Sequence, residues 1–251
     1  MKTVTWCSRA AVALAMCWVA AFAWSQADTL AAAVFSALQA GAALPESWQP
    51  LGVSSAKNRT CYTLVDDGGV TVLRAQANAS ASGLSRSIRV NPAEFPLLKW
   101  RWKIANVLKM SDIRTKEGDD YPARVYVMFD YPLEKLSFID RTRIRMARAL
   151  HDPNLPAAAL CYVWDGKAPA GTIVPSAYTD RVRVVVVESG AARVNQWLAV
   201  ERDVAADFKA AFGEDAPPIS AVAIATDTDN TGESAIAFYG DISFYKHKVT
   251  K

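Results

Sequence analysis

The stretch Val222–Tyr245, VAIATDTDNTGESAIAFYGDISFY, decides the fold. Apolar Val222, Ile224 and Ala225 lead into Asp227, Asp229, Asn230 and Gly232, and Phe238, Tyr239, Ile242 and Phe244 follow. Two β-forming runs on either side of a turn-forming polar segment predict two core strands joined by a loop that carries chemistry. Upstream, the same signals recur. In LKWRWKI, Leu98, Trp100, Trp102 and Ile104 share one face and Lys99, Arg101 and Lys103 the other, a strict period of two that predicts a half-buried strand. In ARVYVMFD, Val125, Val127 and Phe129 alternate with Arg124, Tyr126, Met128 and Asp130.

Further strands are predicted at Cys61–Val65, Val70–Ala75, Ser80–Val90, Leu160–Trp164, Arg181–Ser189 and Trp197–Arg202, with Asp67-Gly68-Gly69 as a hairpin turn. About ten strands with turn signals between them suit a jelly roll. Helical spacing is confined to Leu133–Leu150, read as an insertion between strands, and Val204–Phe212, while Asp28–Gln39 reads as helical or irregular. The fold class is therefore all-β: a jelly-roll β-sandwich with one inserted amphipathic helix and a short helix in the C-terminal half.

Residues 1–27 read as an export signal, with Lys2 and Arg9 flanking a polar start, an uncharged apolar run over Ala10–Trp24, and Ser25-Gln26-Ala27 at the expected cleavage point. Residues 28–251 then form one β-sandwich domain, periplasmic or secreted. No run is apolar over the roughly 20 residues a membrane span requires. With Lys2 and Arg9 removed and no acid lost, 28 basic residues against 25 acidic become 26 against 25. A nearly neutral chain gives no general pull toward nucleic acid. It suits a saccharide or cell-envelope polymer as partner better. Cys61 and Cys161 remain after the leader. They are either a disulfide, which would stabilise by up to about 4.7 kcal/mol in the chain-entropy model, or two separate buried thiols.

Four constellations can carry function. Asp227, Asp229 and Asn230 place oxygen donors before Gly232, as the start of a calcium loop does, although the twelfth position is Phe238 rather than a bidentate acid. The plainer reading is an Asx-rich turn that caps its own amides. The segment KEGDDYPAR sets Lys116, Asp119, Asp120, Tyr121 and Arg124 on a loop entering a strand, where close acids can split their pKa values and an arginine can orient them. An outward sheet face bearing Arg101, Lys103, Arg124, Tyr126, Asp130, Arg181 and Arg183, with Trp164, Tyr178 and Trp197 as ring platforms, can bind a glycan, its excess of cations favouring an acidic one. Alternating charge is also the ordinary wet face of a sheet. Finally, Lys135, Arg141, Arg143, Arg145 and Arg148 beside an apolar stripe describe a helix that can lie on an anionic membrane or a partner protein, and that more ordinarily covers the edge of its own sandwich.

Common hydrolase signatures are missing: no phosphate-cradling glycine loop, no GxSxG elbow and no cysteine-histidine zinc spacing. Carboxylate-based glycan hydrolysis or lyase chemistry stays open, because it needs only two acids, and Asp119, Asp120 and Asp130 are candidates. A third class is an envelope scaffold that docks a protein partner. The segments TCYTL, PLLKWRWKI, GDDYPARVYVMFD, YTDRVRVVVVESG and ATDTDNTGESAIAFYGDISFY resemble those of DUF3047, a secreted bacterial family known only as a domain of unknown function. The C-terminal run is also similar to the ending of galactose-binding-like, carbohydrate-binding jelly rolls. The resemblance implies export and a jelly roll, and it implies no catalytic residue. The leading expectation is a periplasmic module that binds a saccharide or envelope polymer, with a structural calcium ion as its candidate cofactor.

Overall fold

A computed structural model describes residues 28–51, 58–150 and 155–247. The export reading of residues 1–27 lies outside the described residues. In chain order the strands are β1 (Thr29–Ala33), β2 (Gln49–Leu51), β3 (Cys61–Asp66), β4 (Thr71–Asn78), β5 (Ala81–Val90), β6 (Leu97–Ile104), β7 (Ala123–Phe129), β8 (Ala158–Asp165), β9 (Ile173–Pro175), β10 (Val182–Ser189), β11 (Leu198–Asp203), β12 (Ile219–Asp227) and β13 (Ser234–Tyr245). Helix α1 (Phe138–Leu150) lies between β7 and β8, and α2 (Val204–Phe212) follows β11. The strands form two stacked sheets, a jelly-roll β-sandwich.

Sheet I runs β11-β6-β13-β4-β3, with β1 paired to the far half of β13. Sheet II runs β2-β5-β12-β7-β8-β10-β9. The β8–β10 pair is parallel, and the crossover between them carries the edge strand β9. The period-two pattern sorts side chains as expected: Leu98, Trp100, Trp102 and Ile104 are buried between the sheets while Lys99, Arg101 and Lys103 face out. Trp102 meets Trp164 of the opposite sheet with ring centroids 6.2 Å apart, and Trp100 meets Tyr162 at 5.3 Å. In β13 the register shifts between Tyr239 and Ile242. One extra residue there changes the parity, so that Ala235, Ala237 and Tyr239 before it and Ile242 and Phe244 after it all point inward. Gly240 sits at that bulge beneath the Arg101 side chain, which would have to shift to admit a Cβ 2.5 Å away.

Three expectations are corrected. The Asp28–Gln39 segment is not helical: Thr29–Ala33 pairs with β13, a tertiary contact that outweighs the helix preference of its alanines, and only Phe35–Ala37 forms a single 3-10 turn. Leu133–Leu150 is not one helix but a 3-10 turn at Leu133–Lys135 and then α1, which Ser137 caps by accepting from the Asp140 amide at 3.1 Å. Cys61 and Cys161 are both free thiols, Cys61 exposed and Cys161 buried. Cys61 lies on the outward side of sheet I and Cys161 on the outward side of sheet II, so the whole core, about 10 Å from sheet to sheet, separates them, beyond the reach of a disulfide.

Candidate functional site

Antiparallel pairing of β7 with β12 sets Arg124 opposite Ala225, so the start of one strand and the end of the other emerge at the same rim. The KEGDDYPAR loop and the TDTDNTG turn therefore meet. Their centre is Arg124, 4% exposed. Its Nε donates to Asp227 Oδ1 at 2.9 Å, its Nη2 to Asp227 Oδ2 at 2.6 Å and to the Asp119 carbonyl at 2.5 Å, and its Nη1 to the Tyr126 hydroxyl at 3.2 Å. The guanidinium also lies 4.3 Å from the Tyr121 ring centroid. A two-point contact of this kind fixes both partners' orientation as well as balancing their charge.

Asp120 is fully buried and accepts from the Thr231 amide at 2.6 Å, the Thr231 hydroxyl at 2.8 Å and the Asn230 amide group at 3.3 Å. Asp120, Asp227 and Asp229 each bring one oxygen within 4.8 Å of the others. Asn230 is tied into the same network: its Nδ2 donates to the Asp119 carbonyl and Asp120, and its Oδ1 accepts from the Tyr178 hydroxyl at 3.3 Å. Burial pushes Asp227 up to about 7 against the opposing pull of Arg124. Burial likewise raises Asp119, one of whose carboxylate oxygens, Oδ1, has no hydrogen-bond partner. One guanidinium thus faces an excess of carboxylates, which a bound proton or a cation would offset. The donors are hard oxygens of the type calcium takes, but both Asp227 oxygens already serve Arg124, so an ion would share that residue.

Beside this rim, the outward side of sheet II forms rows that run across the strands. One row is Ser85, Ala223, Tyr126, Cys161 and Val184, and the next is Ser87, Ala221, Met128, Ala159 and Val182. Small side chains at most of these positions leave a depression. It is a groove of about 880 Å³ floored by Tyr126, Met128, Ala159 and Val182, walled on one side by Arg143 and Ile144 of α1 and on the other by Tyr178, Asp180 and Arg181. A second hollow of about 520 Å³, lined by Ser85, Ser87, Ser220, Asp130 and Arg148, shares Leu51, Met128 and Pro156 with it. Together they make a trough across the sheet, each part of a size that accepts a small organic ligand.

The sequence candidates divide around this geometry. Tyr126 and Tyr178 belong to both features: Tyr126 carries the Arg124 bond and lines the groove, and the Tyr178 hydroxyl shares its one proton between Asn230 Oδ1 and the Lys116 carbonyl, each at 3.3 Å. Arg181 forms part of a groove wall, its Nε donating to the Ala157 carbonyl at 2.9 Å and its guanidinium 4.5 Å from the Tyr131 ring. Asp119, Asp120, Tyr121 and Arg124 lie beneath the surface as a support. Asp130 sits at the other end of β7, exposed, 3.6 Å from Arg89.

Trp164 is a correction: it is fully buried between the sheets, its indole donating to the Gly190 carbonyl at 3.0 Å, and offers no ring to a ligand. The proposed cationic face is a second correction. Arg101 and Lys103 are on sheet I and Arg124 and Tyr126 on sheet II, so no single surface gathers them. The trough itself is balanced, with Arg143, Arg148 and Arg181 set against Asp130, Asp140 and Asp180, and the expected preference for an acidic glycan loses its basis. Of the floor, sequence reasoning picked out Tyr126 and missed Met128, Ala159 and Val182. Its signal was Ala221, Ala223 and Ala225 at alternate positions of β12, outward sites where a wet strand would carry charge.

A family model described as Protein of unknown function (DUF3047) matches residues 46–243. Among curated protein sequences none matches the chain at a significant level. Among solved structures it is similar to the family 30 carbohydrate-binding module of the cellulosomal cellulase Cel9D-Cel44B of Clostridium thermocellum, with TM-score 0.40 and 10% identity, covering 88% of this chain and 98% of that one. It is also similar to the family 11 carbohydrate-binding module of the cellulase Lic26A-Cel5E of the same organism, with TM-score 0.39 and 8% identity, over 85% and 96% of the two chains.

Proposed function

Because this chain belongs to the DUF3047 family, whose function is unknown, its activity has to be read from its own geometry, and we propose that it is a binding module for a saccharide or envelope polymer. The observation that carries this reading is the trough across sheet II, open along its length, with an apolar and hydroxyl-lined floor and a ring and guanidinium on one wall. A sugar ring presents apolar C–H faces and a rim of hydroxyls, and small floor side chains with Tyr178 and Arg181 at the edge meet both. Balanced lining charge favours a ligand without strong net charge. Asp119 and Asp120 lie under the loop, held by Arg124 and Thr231, and not on the trough floor, so a binding role accounts for them better than acid–base chemistry does.

The test is affinity electrophoresis through gels containing soluble polysaccharides, alongside a glycan array. Retardation by at least one neutral glycan, weakened about tenfold by Tyr178→Ala or Arg181→Ala, is the expected result. An array without a single hit removes the proposal. Two further parts belong to the same reading. Export through residues 1–27 is checked by cell fractionation. A structural calcium ion at Asp120, Asp227 and Asp229 is checked by melting the protein in chelator and in millimolar calcium, where equal midpoints remove the ion.

A further inference from the structure

Helix α1 is amphipathic in the wrong sense for a helix that covers a core. At 100° per residue, its sandwich-facing side carries Asp140, Arg141, Ile144 and Arg148, all only half-buried. The opposite side carries Phe138, Ile139, Thr142, Met146 and Ala149, all exposed, the three large apolar residues at 81%, 60% and 58% for Phe138, Ile139 and Met146. The inward polar groups hold the helix in this orientation. Arg141 donates to the carbonyls of Leu133 and Glu134 at 3.1 Å, and Arg148 to that of Leu155 at 2.9 Å. A buried apolar face would need the helix to turn over and break those bonds.

The exposed apolar stripe is bordered by Arg145 on one side and Arg143 on the other, and the exposed arc contains no acid. We propose that α1 docks the protein on an anionic lipid bilayer. A convex apolar ridge flanked by cations on both sides matches the headgroup boundary of a negatively charged membrane, where apolar side chains enter the acyl edge and arginines stay at the phosphates. A second copy of the chain fits less well. Pairing α1 with itself across a two-fold axis would set cationic borders against cationic borders. The helix is about 20 Å long, enough to lie along the surface and too short to cross it. Docking in this way sets the trough beside the membrane, since α1 is also one of its walls.

The experiment is flotation of the full chain with vesicles of phosphatidylglycerol and phosphatidylcholine, and with phosphatidylcholine alone. The expected result is recovery with the anionic vesicles only, reduced at least tenfold by Ile139→Asp with Met146→Asp, reduced several-fold by Arg145→Glu, and weakened at about 1 M salt, where screening acts within about 3 Å. These positions are exposed, so an unchanged urea midpoint shows that the variants fold. Four results overturn the proposal: no flotation with anionic vesicles, equal flotation with neutral ones, flotation indifferent to the double substitution, or a concentration-dependent dimer that the double substitution dissolves in the absence of vesicle binding. Glycan retardation of the same double variant reports on the trough separately, so failure of one reading is distinguishable from failure of the other.

Discussion

The outer surfaces of the two sheets are built from strands with the same alternation, yet they differ in what fills the outward positions. On sheet I these are long charged or aromatic side chains that satisfy one another: Lys99 with Glu201 at 2.6 Å, Lys103 with Asp67 at 2.7 Å, and Arg101 over the Trp197 ring at 4.6 Å. On sheet II they are mostly alanine, serine and valine, overlain by the central loop at one end and flanked by α1 and the 175–181 turn at the other. A strand that faces only water carries charge at its outward sites, whereas one that faces a third layer or a guest carries small groups. The period of two says which residues are outside, and their size says what lies over them.

The strongest way to break this contrast is at Arg124, the residue that holds the loop over sheet II. Arg124→Met leaves Asp227 and Asp119 buried without their cation, and the expected loss is about 3–5 kcal/mol in urea unfolding. A loss under about 1 kcal/mol would make the cluster no more than a surface pair. The pH dependence comes next. Asp227 is raised from 3.8 to about 7 in the folded protein, so between those values the native state holds a proton the unfolded chain has released, and stability from this group declines as pH rises through that window. Asp227→Asn should flatten the decline, and an unaltered slope would assign it elsewhere.

The contrast sharpens with one substitution on each face. Ala221→Leu fills the trough floor and should reduce glycan retardation tenfold or more with a modest change in stability. Lys99→Ala on sheet I removes an exposed ion pair, and the expectation is a change within about 0.5 kcal/mol and unaltered retardation. If both variants bind alike, the two faces do not differ in function.

Much of this architecture is legible from residue order, because LKWRWKI and ARVYVMFD alternate without interruption and the Asp67-Gly68-Gly69 turn joins β3 to β4. The meeting of the GDDYPAR and TDTDNTG segments follows from β7 lying beside β12, a pairing that spacing does not encode. The trough is less legible for a physical reason. Charged and aromatic residues announce themselves in a sequence, and a concave surface is made by what is missing from side chains, so Ala159, Ala221 and Ser87 stand out less than Trp164. The two sheets also share one alternation pattern, so Arg101 and Arg124 read as one surface although they lie on different sheets. The outward turn of α1 depended on Arg141 and Arg148 finding carbonyls below the helix, contacts between segments that helical periodicity cannot reveal.

The last strand made is the one in the middle. β13 lies between β6 and β4 and also carries β1, so three earlier strands wait for residues 234–245 before sheet I can close. Without those residues the β11–β6 pair, which carries Trp100 and Trp102, and the β3–β4 pair have no strand between them. Closure of sheet I is therefore made of contacts far apart in sequence, which form only once residues 234–245 have joined the strands made before them.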